Sequence, residues 1–177
     1  LVKTLDRLKL TEKTLIVFCS DNGPVLDDGY KDGAKEKLGA HTPAGIYRGG
    51  KYSIYEGGTR TPFITCWPGT IKPGKHADLV SSIDLVPTML SAAGAKIPET
   101  LPGLDLMPVL RDGEKLTRNI VFGEGCAHDI LDLDNHEATL LYRWCIEGKW
   151  KLLLTYDGKV SKYQSTHPRT EKRPQLF

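Results

Sequence analysis

The sequence predicts an α/β fold that continues into a small antiparallel β (α+β) subdomain. Three observations carry that expectation. TLIVFCS at 14–20 is a short, continuous apolar run, the kind that suits a strand buried on both faces of a parallel sheet. Just before it, Leu1, Leu5 and Leu8 recur at helical spacing. Beyond residue 117 the texture changes, and ATLLYRWCIEGKWKLLLTYDGK reads as two strands about a tight turn at Glu147-Gly148-Lys149. A helix followed by a buried strand is half of an α/β repeat, whereas a hairpin is antiparallel by construction.

The elements follow in order. After the first strand comes DNGP (21–24), a turn signal. Residues 23–50 show no clear period and are rich in Gly, Asp and Lys; loops of such length inside compact domains are uncommon and usually functional. FITCWPG (63–69) is a second strand, closed by Pro68-Gly69. DLVSSIDLVPTMLSAAGA (78–95) holds a helix in which Asp84 can act as N-cap, Pro87 is tolerated in the first turn and Gly94 is a natural stop. PETLPGLDLMPVLRDGEK (98–115) is a Pro/Gly-punctuated connection with one short helical turn. NIVFGEG (119–125) reads as a strand, and the polar tail YQSTHPRTEKRPQLF as a loop that ends on two hydrophobes, where a strand or core contact begins. This texture divides the chain into 1–116 and 117–177.

Bulk numbers exclude several classes. The 177 residues allow one good core plus an appendage, and 40% hydrophobic with 26% charged residues is ordinary globular composition. A net charge of +2 is too small to argue for nucleic acid or an acidic membrane. No apolar run approaches bilayer length, and LVKTLDRLKLTEK is too charged for a secretory signal. The four cysteines lie in no CxxC or Cys/His spacing, so zinc is not expected; Cys19, Cys66 and Cys145 sit in apolar runs, where a free cysteine acts as a small hydrophobe.

The candidates for chemistry cluster near the first strand. Asp21-Asn22 falls where that strand ends, the edge at which open α/β sheets bind ligands. Both side chains offer the hard oxygens that Ca²⁺ and Mg²⁺ prefer; an Asx turn with Asn22-Gly23 at positive φ is the plainer alternative. In YRGGKYSIYEGGTRTP (47–62) two glycine pairs bracket Lys51 and Glu56. An ammonium suits a tetrahedral oxyanion, and glycines let backbone approach a ligand closely. A surface lysine beside a turn is again the alternative. No GxxxxGK[ST] is present, so nucleotide binding has no support. Glu56 would pair with Arg60 if the stretch were helical, but Gly57 and Gly58 argue against a helix, which leaves Glu56 to orient the loop. His41 and His128 lie in loops after strands and can exchange a proton near neutral pH. His76, His136 and His167 have no supporting context.

In this order and spacing, TLIVFCSDNGP, RGGKYSIYEGGTRTPFITCWPG and VSSIDLVPTMLSAAG resemble the sulfatases of the alkaline phosphatase superfamily. The match runs from residue 1 to about residue 112, and the antiparallel segment fits the family's small C-terminal subdomain. The resemblance implies the C-terminal part of an alkaline-phosphatase-like α/β sandwich, hydrolysis of sulfate esters, and one divalent cation, Ca²⁺. Asp21 and Asn22 match metal ligands, Lys51 matches the lysine that contacts sulfate, and His41, Arg48 and His128 fall in stretches that face substrate. The substrate implied is a sulfated small molecule or glycan, and the compartment periplasmic, secreted or lysosomal.

The departure from the family pattern is as informative. The family's nucleophile is a formylglycine made from a Cys/Ser-x-Pro/Ala-x-Arg motif, and none is complete here. CWPGT has Thr70 in place of the arginine, so Cys66 is a decoy. The family's other metal-binding acids and its further catalytic lysine and histidines have no match either. The expectation is a sulfatase fragment that lacks the N-terminal half and last helix of the same protein, inactive alone and weak for metal. A phosphodiesterase or phosphonate hydrolase of the same superfamily, or a non-catalytic binding module, are the competing readings.

Overall fold

Strand β1 (Ile16–Cys19) forms where the apolar run predicts it, preceded by helix α1 (Val2–Arg7). The structure, a computed structural model, describes residues 1–25, 30–126, 132–156 and 174–177. Helix α2 (Ala34–Lys37) is a single turn within the long loop, and α3 (Glu56–Thr59) is another. Strand β2 (Phe63–Cys66) pairs with β1 in a two-stranded sheet. Helix α4 (Leu85–Ala92) follows, then strands β3 (Ile120–Cys126), β4 (Leu140–Glu147), β5 (Trp150–Thr155) and β6 (Gln175–Leu176). The mixed α/β content followed by an antiparallel sheet agrees with the expected class.

Two compact units emerge. One comprises residues 1–18 and 63–121, the other 19–62 and 122–177. Both units are discontinuous in sequence, and the loop 19–62 groups with the C-terminal sheet.

In the first unit, β1 is not buried on both faces as its composition suggested. Phe18 is 62% exposed and Ile64 on β2 59%. Two strands give each side chain few neighbours, so the apolar run keeps its strand geometry without its cover. Cys19 and Cys66, expected as buried hydrophobes, are exposed, and all four cysteines are free thiols.

The better-ordered chemistry of this unit is at α4. Asp84 is not its side-chain N-cap. A 3₁₀ turn, Ser82–Asp84, precedes the helix, and Ser81 and Asp84 form a capping box in which the Ser81 N–H donates to Asp84 Oδ2 at 2.8 Å. The fully buried Asp84 carboxylate also accepts the Leu104 N–H at 2.8 Å and a two-pronged bond from Arg118, at 2.6 and 2.7 Å. Thr88, one turn on, accepts the Leu106 N–H at 2.9 Å while donating to the Asp84 carbonyl at 2.7 Å. Gly94 ends the helix as expected: with φ 70° it lets the Gly94 and Ala95 amides reach the Ser91 and Leu90 carbonyls, a Schellman closure. Pro108–Asp112 supplies the short helical turn, as a π turn.

In the second unit, four strands run in the order β3-β4-β5-β6. β4 and β5 are antiparallel with Glu147 opposite Trp150, so the loop is Gly148-Lys149, and Gly148 takes φ 56° as a two-residue hairpin requires. The hydrophobes at the chain's end do begin a strand: Leu176 of β6 pairs with Leu152, and Phe177 exchanges backbone bonds with Lys151 at 3.0 Å. The core of this unit is Ile54, Tyr55, Leu141, Tyr142 and Leu153, with Trp144 packed against it. Ile54 and Tyr55 come from the loop that carries Lys51, which is why that loop belongs with the sheet.

Burial alone would push the Asp84 carboxyl up, but the Arg118 guanidinium and the Leu104 and Ser81 amides outweigh it and hold its pKa below the ordinary carboxylate value. A depressed carboxylate stabilises the fold above its unfolded pKa, and that contribution is lost as pH falls through the lower folded value. Asp84→Asn leaves Arg118 unpaired and is expected to cost about 3–5 kcal/mol in chemical denaturation at pH 7. The gap between variant and parent should narrow below about pH 4.

Candidate functional site

At the end of β1 the chain turns through Asp21-Asn22-Gly23-Pro24. Ser20 Oγ donates to the Asn22 carbonyl at 2.9 Å, the Asn22 N–H to Asp21 Oδ1 at 3.0 Å, and Asn22 Nδ2 to the Gly23 carbonyl at 2.8 Å. The Asp21 side chain is exposed, and the amide bond leaves Asn22 Oδ1 outside it. Gly23 is buried and does not take positive φ. Its reason is space: a Cβ there would lie 1.8 Å from the Gly57 carbonyl oxygen.

The facing loop explains the rest of the glycines. The Gly23 N–H donates to the Gly58 carbonyl at 3.0 Å, the Lys51 N–H to the Pro24 carbonyl at 2.9 Å, and the Gly57 N–H to the Arg48 carbonyl at 2.8 Å. A Cβ on Gly50 would come within 2.5 Å of the Pro24 oxygen, one on Gly57 within 2.4 Å of the Gly49 oxygen, and one on Gly58 within 2.0 Å of the Ser53 oxygen. Read from sequence, these glycines bring backbone close to a ligand. In the structure they bring backbone close to backbone. Tyr52, next to Lys51, holds φ 71°, a left-handed conformation uncommon for a bulky side chain.

A cleft of about 430 Å³ opens beside this knot, lined in part by Pro24, Leu38, His41, Tyr47, Lys51 and Tyr52. It brings together His41 and Lys51, which the sequence separates by a proline- and glycine-containing loop. The Lys51 ammonium lies 5.1 Å from the Tyr52 ring centre. Arg48 is not part of this lining; its guanidinium lies 4.1 Å from the centre of the Tyr55 ring. His128 lies outside the described residues. Asp21 and Asn22 stand at the corner that leads to Pro24, two oxygen-bearing side chains of the type a hard cation takes. They fit part of such a shell: among the described residues no three His, Cys, Asp or Glu side chains are grouped to hold an ion.

Two features of the loop escaped sequence reasoning. The helical turn α3 does form across Gly57 and Gly58, and Arg60 and Glu56 make the i, i+4 pair at 3.5 Å. The closer partner of Glu56 is Lys151 of β5, whose Nζ is 2.9 Å from Oε1 and 2.8 Å from Thr59 Oγ1. Lys151 is 6% exposed, and burial pushes its pKa down against the opposing pull of Glu56. The only signal in sequence is a lysine inside an otherwise apolar strand.

Comparison with known proteins bears on the family and the fold. The family model described as Sulfatase matches residues 1–95. The N-acetylgalactosamine-6-O-sulfatase of Bacteroides thetaiotaomicron is 38% identical over the whole of this chain, which corresponds to 33% of that protein. Human arylsulfatase A is 40% identical over 69% of the chain and 22% of its own length. A solved structure from work on glycosaminoglycan metabolism by B. thetaiotaomicron superposes with a TM-score of 0.78 at 37% identity, covering 99% of this chain and 35% of the other. The chain thus spans about a third or less of the length of these relatives.

Because Gly58 touches both the Ser53 and Gly50 carbonyls, Gly58→Ala should force the loop off the Asp21 corner. The expected loss is about 1–3 kcal/mol of stability, read by denaturant titration. Gly94→Ala serves as a control: nothing lies within 4 Å of its Cβ position, so only the cost of positive φ remains.

Proposed function

The chain belongs to the sulfatase family, and from that premise we propose that the whole protein hydrolyses a carbohydrate sulfate ester, with 6-sulfated N-acetylgalactosamine as the first unit to test. The observation that carries the reading is the cleft in which Lys51 and His41 meet beside the Asp21-Asn22 corner. The similarity, over the whole of this chain and a third of the relative, to a protein named N-acetylgalactosamine-6-O-sulfatase supports the choice of substrate.

The chain's own residues divide the work by chemistry. Lys51 presents a compact, strongly hydrated cation to the sulfuryl oxygens, and its effect grows as negative charge moves onto those oxygens and the leaving oxygen. Its backbone N–H is held by the Pro24 carbonyl, which fixes where the flexible side chain starts. His41, on the same cleft, offers an imidazole to the hydroxyls of the sugar. Tyr47 and Tyr52 give the cleft aromatic walls against which a pyranose ring can lie. Asp21 and Asn22 would hold Ca²⁺ together with oxygens from outside the described residues; the cation supplies positive charge to the sulfuryl group. Arg48, engaged with Tyr55, supports the loop and is a weaker candidate for substrate contact.

In the intact enzyme, Lys51→Ala is expected to lower kcat/KM on N-acetylgalactosamine 6-sulfate by about 10²-fold, and an unchanged rate would remove Lys51 from the site. Asp21→Asn should reduce bound calcium measured by elemental analysis; full retention would refute the ligand assignment. The 177-residue chain alone has no complete formylglycine motif and should release no sulfate from an aryl sulfate, and turnover would sink that expectation.

A further inference from the structure

Lys151 grips one helical turn at both ends. Its ammonium donates to Glu56 Oε1 at 2.9 Å and to Thr59 Oγ1 at 2.8 Å, and Glu56 and Thr59 are the first and last residues of α3. Its third direction is occupied by the Trp144 ring, whose centre is 4.7 Å from Nζ. Two hydrogen bonds and the Trp144 ring thus surround the ammonium of a residue that is 6% exposed. Thr59 Oγ1 in turn donates to the Tyr55 carbonyl at 3.3 Å, which closes the turn on itself.

What lies between the two gripped ends is the functional point. Gly57 and Gly58 fill the middle of α3. Gly57 donates to the Arg48 carbonyl, at the base of the Lys51 loop, and the Gly58 carbonyl accepts the Gly23 N–H, next to Asn22. The same turn thus carries one backbone bond to each half of the candidate site. Two consecutive glycines are a poor helix on their own, by roughly 1 kcal/mol each relative to alanine, so the turn needs an outside clamp.

We propose that Lys151 and Glu56 form a positioning pair: the buried ammonium fixes the diglycine turn, and through it the registration of the Lys51 loop against the Asp21-Asn22 corner. Neither residue touches substrate. Its catalytic consequence rests on the sulfatase reading, because it acts by holding the sulfate-facing lysine in place. Misplacement of a reacting group by about 1 Å can cost on the order of 10²-fold in rate.

The test uses the full-length protein and four variants: Lys151→Met, Lys151→Arg, Glu56→Gln and the double Lys151→Met/Glu56→Met. In Lys151→Met and Glu56→Gln, the Gly23 and Gly57 amides should exchange hydrogen faster than in the parent. In both, kcat/KM on N-acetylgalactosamine 6-sulfate and 4-nitrophenyl sulfate should fall about 10-fold or more, chiefly in kcat. Lys151→Arg should restore part of the rate. Replacing a buried pair with apolar residues commonly returns stability, so the double variant should regain Tm yet stay slow. A double variant that recovers both Tm and kcat/KM would make the pair merely structural and overturn the proposal, as would unchanged amide exchange in Lys151→Met. If Lys151→Met does not fold, the double and arginine variants decide. A parent enzyme that cleaves neither sulfate refutes the sulfatase reading, while amide exchange still decides the positioning role.

Discussion

Backbone-to-backbone contact between two segments is the constraint on which the candidate site depends. Gly23 lies against Gly57, Gly50 against Pro24, and Gly58 against Ser53 and Gly50, at separations that leave no room for a Cβ. Such contacts bury peptide groups, and buried peptide groups must be paired. They are: Gly23 to Gly58, Lys51 to Pro24 and Gly57 to Arg48. The corner that carries Asp21 and the loop that carries Lys51 are therefore joined by peptide hydrogen bonds, not by side chains. The Asp21 and Asn22 side chains brace only their own turn, through the Asn22 N–H and the Gly23 carbonyl, and are not what joins the two segments.

That scaffold is held from below by ordinary hydrophobic packing. Ile54 and Tyr55 are buried against Leu141, Tyr142 and Leu153 of the antiparallel sheet. Each fully buried side chain of this size contributes roughly 1.5–3 kcal/mol, which offsets part of the entropy lost in ordering a glycine-rich loop. Position along KYSIYEGG thus separates two duties: Ile54 and Tyr55 anchor the loop, and the preceding pair, Lys51 and Tyr52, lines the cleft. The Phe177 ring meets Tyr55 edge-on at 5.7 Å, and Tyr55 Oη reaches Gln175 at 3.3 Å, so β6 adds a second brace to the same anchor.

Sequence reading reached some of this and missed the rest for identifiable reasons. β1, the β4–β5 hairpin and the Gly94 stop were legible because each rests on a local rule: an apolar run, a two-residue turn, a left-handed cap. The turn at Asp21-Asn22 is legible by its place at a strand end. Three-dimensional pairs were not. Lys151 and Glu56 are 95 residues apart, and nothing local marks either as the other's partner. The helical turn over Gly57 and Gly58 was ruled out on propensity, and tertiary clamping overrode propensity. Asp84 was placed on the right helix but in the wrong role, because a capping box with Ser81 and the Arg118 fork both need knowledge of what faces the carboxylate. The burial expected for β1 failed because burial depends on what covers a strand, and composition records only what a strand can tolerate.

Two lysines of this unit, Lys51 and Lys151, stand in opposite environments. Lys51 sits on an open cleft, where its hydration can be exchanged for a ligand's oxygens and its charge is held in reserve. Lys151 has given up its hydration, and its charge is spent on Glu56, Thr59 and the face of Trp144. A free ammonium in the second setting would be unstable, since burial pushes it toward the neutral form and only Glu56 pulls it back. A paired ammonium in the first setting would be useless for binding an anion, since its counter-ion would already be present. Glu56, five residues beyond Lys51, is engaged by the buried Lys151 and by Arg60. Under the proposed function, an ammonium on an open cleft is the group that would face the anionic oxygens of a sulfate ester.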